Sequence, residues 1–293
     1  MIPELRSIGM DFPKWQQALE AAYGSGNLGV SGEVRGGQVL QFDDPSGARM
    51  VVLAVEPFGS FASYTGGVPA TAHLSMLNDI IGVLDVVDDS PMLQISGQQA
   101  PTIASLTATI AQGPLLVDAP SLEYHQFHIG ALANSVRVYG DSTEFAKDGG
   151  LKVGVVDSSG LRDINSPSAA PHATAEIAVE ASGWSRKVNA LTGQKFWTAS
   201  VTSPFEFTVV LPEDAVDEEL AESAAPLIVA GTVQFPLAPW IPLAAAAPAA
   251  PVAVAAGATK AQSVPRPRSP RGRGGSSHPR IPPPARHHLE RAR

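Results

Sequence analysis

Apolar positions recur at helical spacing in one stretch near the start of the chain. Five residues form that stripe: Phe12, Trp15, Leu19, Ala22 and Tyr23. The 3.6-residue period predicts an amphipathic helix, with Asp11 as its N-cap and Gly24 at its end. A short strand, 7–10, is predicted to precede this helix.

Beyond residue 38 the pattern changes to short apolar runs separated by Gly, Pro, Asp and Ser. The run 50–55, MVVLAV, is apolar at every position, which is typical of a strand covered on both faces. Predicted strands are 39–42, 49–55, 70–76, 80–87, 92–95, 103–110 and 115–117. This regular spacing is typical of an all-β meander or barrel.

The most readable region is 175–235. Two strand-like runs flank a turn at 190–194, and a third follows Pro204. The acidic segment 213–222 predicts a short helix, and an apolar run then closes the region. Strand, hairpin, strand, short helix and closing strand predict a Greek-key barrel of OB-like type.

Two segments share a pattern of letters at the same spacing. Segments 36–50 and 149–163 each open with Gly-Gly, continue as an apolar strand and reach an Asp-x-Ser-Gly turn. Gly47 and Gly160 stand where such a turn favours positive φ. We therefore predict a hairpin that occurs twice.

A second pair supports the same interpretation, because ATAHLSM at 70–76 resembles ATAEIAV at 173–179. The two offsets differ, so a duplication needs an insertion or deletion, and chance similarity is the alternative. We expect a mainly β (α+β) protein of two similar β-rich halves with a disordered C-terminal tail. The predicted divisions are 1–118 with the N-terminal helix, 119–236 with its OB-like part from 173, and 237–293.

Charge is divided unevenly along the chain. Of the 20 Lys and Arg residues, 11 lie before residue 236, together with 27 of the 28 Asp and Glu residues. The body therefore carries a formal charge of −16 and the remainder +8. An acidic body does not favour nucleic-acid binding, although the basic tail on its own remains an alternative contact.

The tail from residue 236 holds 12 of the 26 prolines. Such a composition buries too little apolar surface to offset chain entropy, so we expect disorder. A natural low-complexity tail and a shifted reading frame are both consistent with it. The chain has no Cys and shows neither a signal peptide nor a convincing membrane span, so we expect a cytoplasmic location. Partners are unknown, and self-association is left open.

Glu123, His125 and His128 form E-x-H-x-x-H, the densest set of metal-ligand types in the body. On a regular strand the first two share a face and the third points away. A bend at Gln126 or Phe127 would bring them together. Histidines in surface or capping roles are the alternative, so no cofactor is assigned and a divalent metal is left open.

Other catalytic patterns receive no support. GSGNLG at 24–29 matches the spacing of a dinucleotide fingerprint, but a helix precedes it where the fingerprint needs a strand. We expect a helix-to-strand loop there. The sequence contains neither a G-x-S-x-G elbow nor a P-loop, and no catalytic residue is predicted.

Residues 7–55 resemble a half-module of the glyoxalase/bleomycin-resistance (vicinal oxygen chelate) family. SIGMDFPKWQQALEAAYG followed by VLQFDDPSGARMVVLAV carries the resemblance. It implies strand, helix and then strands around a D-P-x-G turn. The His that this family uses as a metal ligand on its first strand has no counterpart in 7–10.

We expect a soluble, non-enzymatic structural or small-ligand-binding module. One alternative is a metal-dependent enzyme or small-molecule-binding protein of vicinal-oxygen-chelate type. The other is a protein that contacts nucleic acid through its basic tail only.

Overall fold

The computed structural model describes residues 2–90, 100–116, 118–164, 166, 169–223 and 225–239. In these ranges the helices are α1 Pro3–Ser7, α2 Trp15–Gly24, α3 Ser142–Lys147, α4 Ser159–Asp163 and α5 Glu218–Glu222. The strands are β1 Leu28–Val34, β2 Gly37–Asp43, β3 Ala48–Ala54, β4 Gly59–Tyr64, β5 Pro69–Met76, β6 Ile81–Val87, β7 Thr102–Ile110, β8 Ser121–Tyr139, β9 Val155–Ser158, β10 Thr174–Val188, β11 Lys195–Val201, β12 Phe207–Pro212, β13 Leu227–Gln234 and β14 Pro236–Pro239. Two 3-10 turns, Gly113–Leu116 and Glu213–Ala215, complete the set. The protein is mainly β, as predicted.

Helix α2 follows the predicted apolar stripe. It buries Ala18 and Ala22 and ends at Gly24, as expected. Its N-cap is Lys14 and not Asp11, so the helix begins one turn later than predicted. The GSGNLG loop that follows leads into β1, which confirms a helix-to-strand connection.

The predicted strand at 7–10 is wrong, because Ser7 is the last residue of helix α1 and the next three residues form a turn and its exit. Pro3 stands at the first helical position, where its missing N–H is not needed, and Glu4 suits the positive end of the helix dipole. Gly9 then takes φ +69° and ends the helical path. Of the predicted strand 115–117, the first two residues lie in a 3-10 turn, Gly113–Leu116, and residue 117 lies outside the described residues. The predicted strand 92–95 lies outside the described residues.

Strands β1 to β4 form a four-stranded antiparallel meander. One face packs against both N-terminal helices through Phe42, Met50 and Ala62. The other face packs against the end of β7 through Val39 and Leu53. Met50 on one face and Val51 and Leu53 on the other are buried, which agrees with a strand covered on both faces, while Ala54 at its end is exposed.

The turn between β2 and β3 has the predicted chemistry. Asp44 Oδ1 accepts a hydrogen bond from Ser46 N at 2.9 Å, and Gly47 takes φ +93°. Asp44 Oδ2 accepts a second bond from Ala190 N at 2.9 Å. This buried carboxylate therefore ties the meander to the hairpin turn between β10 and β11.

The first barrel is a closed ring of five strands. The meander β5-β6-β7 is antiparallel, and β5 pairs with the N-terminal part of β8. Strand β14 closes the ring, because it pairs parallel with β7 and antiparallel with β8.

The second barrel is also a closed ring of five strands. The meander β10-β11-β12 is antiparallel, and β10 pairs with β13. The C-terminal part of β8 closes this ring, since it pairs parallel with β12 and antiparallel with β13. Strand β8, 19 residues long, therefore belongs to both rings. The predicted boundary at 118/119 stays a prediction.

The predicted second hairpin at 149–163 is wrong. Strand β9 is followed by helix α4, because Ser158 Oγ accepts from Leu161 N at 3.3 Å and caps a helix at that point. Gly160 is part of that helix and does not take positive φ as Gly47 does. Its small size matters for another reason, since a Cβ there would lie 1.9 Å from the His172 carbonyl oxygen.

The predicted start of the tail is also wrong. Strand β14 lies between β7 and β8, and Leu237 and Ala238 are 2% and 3% exposed. The ordered body therefore continues through the first residues assigned to the tail. The remainder of the predicted disordered tail, 240–293, lies outside the described residues.

Candidate functional site

The three predicted metal ligands lie on β8, where a bulge interrupts the pairing of this strand with β5. Tyr124 takes φ +54°, and the register between β5 and β8 shifts at this point. His125 Nδ1 lies 3.0 Å from the Glu123 carbonyl oxygen, and His128 is half-buried further along the strand. Across the described ranges, no three His, Cys, Asp or Glu side chains are grouped so that they could hold a metal ion. The metal site at Glu123, His125 and His128 stays a prediction.

A polar row crosses the four-stranded sheet and ends near His128. Arg49 lies opposite Asp43 on one side and Ser63 on the other. Arg49 Nε donates to Asp43 Oδ1 at 2.5 Å, and Gln41 Nε2 donates to Asp43 Oδ2 at 2.6 Å. Ser63 is 1% exposed and Gln41 is 4% exposed. A substrate in solution therefore cannot reach the serine hydroxyl.

His128 is held neutral by its surroundings. Burial lowers the pKa of this imidazole below 6.5, and the positive charge of Arg49 lowers it further. A hydrogen bond with the Gly67 backbone opposes both effects but is the smallest of the three. A neutral imidazole lies beside the Arg49 cation without charge repulsion.

The aromatic cluster in the second barrel packs in the interior. Trp197, 5% exposed, belongs to the barrel core, and Trp184 packs against that core. Phe196, 0% exposed, packs instead with the N-terminal helices and the four-stranded sheet. The Arg186 guanidinium lies 5.7 Å from the Trp197 ring centroid and forms an ion pair with Glu213. The hydrogen bond that Arg186 donates to this glutamate raises the pKa of Arg186. These rings are not available as a base-stacking platform.

Two neighbouring clefts lie beside Arg6. Their volumes are about 350 and 330 Å³, and Asp214 and Pro212 line both. Arg6 forms ion pairs with Asp214 and Asp11, so the cation already has two acidic partners. Asn134 lines the larger cleft at a bulge where β8 shifts register against β13. Because the charge of Arg6 is already balanced by these two carboxylates, it offers little attraction to a charged ligand.

A larger cleft lies where the four-stranded sheet meets the first barrel, and we call it the junction cleft. Its volume is about 710 Å³, within the range of about 300–1,000 Å³ that is usual for small-ligand pockets. Its lining residues are Arg35, Val55, Glu56, Pro57, Asn78, Asp79, Ile80, Ile81 and Pro171. Five of the nine are apolar, and the polar groups come from three separate turns or loops.

An ion pair bridges one side of the junction cleft. Arg35, in the β1–β2 turn with φ +53°, donates to both carboxylate oxygens of Asp79 in the β5–β6 turn, at 2.7 and 2.8 Å. This hydrogen bond raises the pKa of Arg35 and lowers the pKa of Asp79. Asn78 Oδ1 accepts from the backbone N–H groups of Ile80 and Ile81, which fixes the second turn. The side of the cleft is therefore held by side-chain bonds.

None of the junction-cleft residues was predicted as a site residue from the sequence. Arg35 and Asp79 are 44 positions apart, and each lies in a turn of ordinary composition. Only the stacking of the sheet on the barrel brings them together. The exposed Asn-Asp turn at 78–79 was the one local signal, and it is shared by many turns without a binding role.

No family model matches this chain, and no curated protein or solved structure matches it either. None of the helices in the described part of the chain has the length and apolar character needed to cross a membrane.

Proposed function

We propose that this protein is a non-enzymatic module that binds a small ligand in the junction cleft. The observation that carries the proposal is the cleft itself, about 710 Å³ in volume, with an apolar wall and a few polar groups that converge from separate turns. Pockets of this size and lining are typical of small-molecule sites.

The surroundings of the polar groups support binding and not catalysis. Arg35 and Asp79 neutralise each other in a bidentate pair. In the polar row Ser63 is buried and His128 is half-buried, and neither residue lines the cleft.

A neutral aromatic probe tests the proposal without assuming a charge. We expect 2-phenylethanol to bind saturably to the wild type, measured by saturation-transfer NMR. Pro171→Trp places a large ring at the mouth of the cleft and is expected to abolish binding, because Pro171 is exposed and lines the cleft. Leu151→Trp is the matched control, since Leu151 is fully exposed and absent from that lining.

Binding that survives in Pro171→Trp would place the probe elsewhere and overturn the proposal. Absence of saturable binding in the wild type would overturn it as well. Circular dichroism melting of both tryptophan variants checks that each one is folded.

The remaining expectations stay predictions. For the vicinal-oxygen-chelate alternative, we expect stoichiometric Zn, Ni, Mn or Fe that is lost when His125 and His128 are both replaced by Ala. The tail alternative predicts nucleic-acid binding that weakens with salt and disappears when 237–293 is removed. A cytoplasmic location and self-association are likewise predictions.

We also propose that the two barrels arose by duplication and that each is OB-like. Each has an antiparallel three-stranded meander, then a fourth strand that pairs with the first, and a closing strand parallel to the third. That order is the one expected of an OB-like barrel. Strand β8 is the fourth strand of the first ring and the closing strand of the second, and β14, which follows β13 of the second ring, closes the first.

One of the two short sequence similarities supports this reading, and the pair 36–50 and 149–163 does not. Segments 70–76 and 173–179 fall on the first strands of the two meanders. Gln126 pairs with Thr71 in the first ring, and Gln234 pairs with Thr174 in the second. Superposing β5-β6-β7 on β10-β11-β12 in an experimental structure tests the proposal. We expect the fourth and fifth strands to coincide as well, and divergent paths would contradict common descent.

A further inference from the structure

We infer that the junction cleft takes a cation, an amine or guanidinium carried on an apolar body. This inference rests on the proposed function and adds the chemical class of the ligand. Three charged side chains line the cleft, and two of them, Arg35 and Asp79, form a bidentate pair. Glu56 is the third, and its carboxylate has no ion pair within the part of the chain that the structure describes.

The remaining polar groups offer an anion little. Arg35 donates to both Asp79 oxygens and to the Glu56 carbonyl oxygen at 3.4 Å, and its charge is already balanced by Asp79, so an anionic ligand gains little from it. Asn78 Oδ1 is taken by two backbone N–H groups. The Glu56 carboxylate is exposed and is bound in no ion pair among the described residues, although its charge helps to raise the pKa of Arg35, and it matches a positively charged donor.

The apolar lining of the cleft indicates the chemical character of the rest of the ligand. Val55, Ile80, Ile81 and two prolines present hydrocarbon surface beside Glu56. Removing apolar surface from water favours a ring or branched chain next to the charged group. An amine attached to such a body satisfies both features together.

The net negative charge of the chain before residue 236 also favours a cationic ligand. The part of the chain before residue 236 carries 27 acidic and 11 basic residues. A negative surface raises the local concentration of cations and speeds their arrival, and it does the opposite for anions.

Three probes of similar size separate the alternatives: 2-phenylethylamine, 2-phenylethanol and phenylacetate. Isothermal titration at low ionic strength gives the affinity of each for the full chain. We expect the amine to bind about three- to fivefold more tightly than the alcohol, which is the gain from one exposed ion pair. Phenylacetate should bind most weakly, and added salt should reduce the preference for the amine.

Glu56→Gln is the deciding variant, and we expect it to bind amine and alcohol equally well. Glu206→Gln removes an exposed carboxylate that does not line the cleft and should retain the preference for the amine. A preference that persists in Glu56→Gln, or tighter binding of the alcohol or of phenylacetate, would overturn the inference. In those cases alcohol binding that is lost in Pro171→Trp leaves the proposed function standing. If none of the probes binds saturably, the proposed function and the inference fail together.

Discussion

Replacing Leu237 by Ala tests whether the last described strand is part of the core. Leu237 is 2% exposed, and its backbone lies opposite Ile110 of β7 and Ile129 of β8. Full burial of a leucine side chain stabilises a fold by about 1.5–3 kcal/mol, and the cavity left behind adds to the loss. We expect Leu237→Ala to lower the free energy of unfolding by about 2–5 kcal/mol.

Urea unfolding followed by tryptophan fluorescence measures this loss, with an unchanged m-value as the sign that both states keep their compactness. Leu151→Ala makes the same chemical change at a fully exposed position, so its effect should stay within about 0.5 kcal/mol. If the two variants lose equally little, β14 does not close the first barrel. The barrel would then be open between β7 and β8.

Two further predictions concern the polar row and the second barrel. The folded-state pKa of His128 lies below 6.5, so the unfolded state takes up this proton first and stability should fall as pH drops below 6.5, by at most about 1.4 kcal/mol per pH unit from this residue. His128→Gln should flatten that part of a stability–pH curve, and an unchanged slope would contradict the low pKa. Gly160→Ala should cost about 1–3 kcal/mol in chemical denaturation, because its Cβ would meet the His172 carbonyl oxygen. Gly24→Ala, with nothing within 4 Å of its added Cβ, should cost little, and equal losses would remove the packing explanation.

The local sequence pattern predicted those elements whose conformation depends on interactions between neighbouring residues. The stripe in α2, the apolar run in β3 and the turn at Asp44 are each determined by a few neighbouring residues. The similarity of 149–163 to 36–50 misled because the same Asp-x-Ser-Gly letters serve a turn in one place and a helix cap in the other. Ser158 decides the second case by accepting from Leu161 N.

The pairing of strands that are far apart in the sequence could not be predicted from the local sequence pattern. The first residues of β14 follow Phe235 in a segment rich in Ala and Pro, which predicts disorder. They are ordered because they fill the gap between β7 and β8, strands far away in the sequence. The junction cleft has the same origin, since its ion pair joins two turns that only the packing of sheet on barrel brings together.

Methyl NMR on protein labelled at its isoleucine δ-methyl groups tests the ligand-binding proposal most directly. The tightest of the three phenyl probes is titrated into the wild type and into Pro171→Trp. We expect saturable shifts at Ile80 and Ile81, which line the cleft, and no such shifts in the variant. Saturable shifts elsewhere that leave both residues unmoved, or no saturable shift at any isoleucine, would contradict a binding site at the junction cleft.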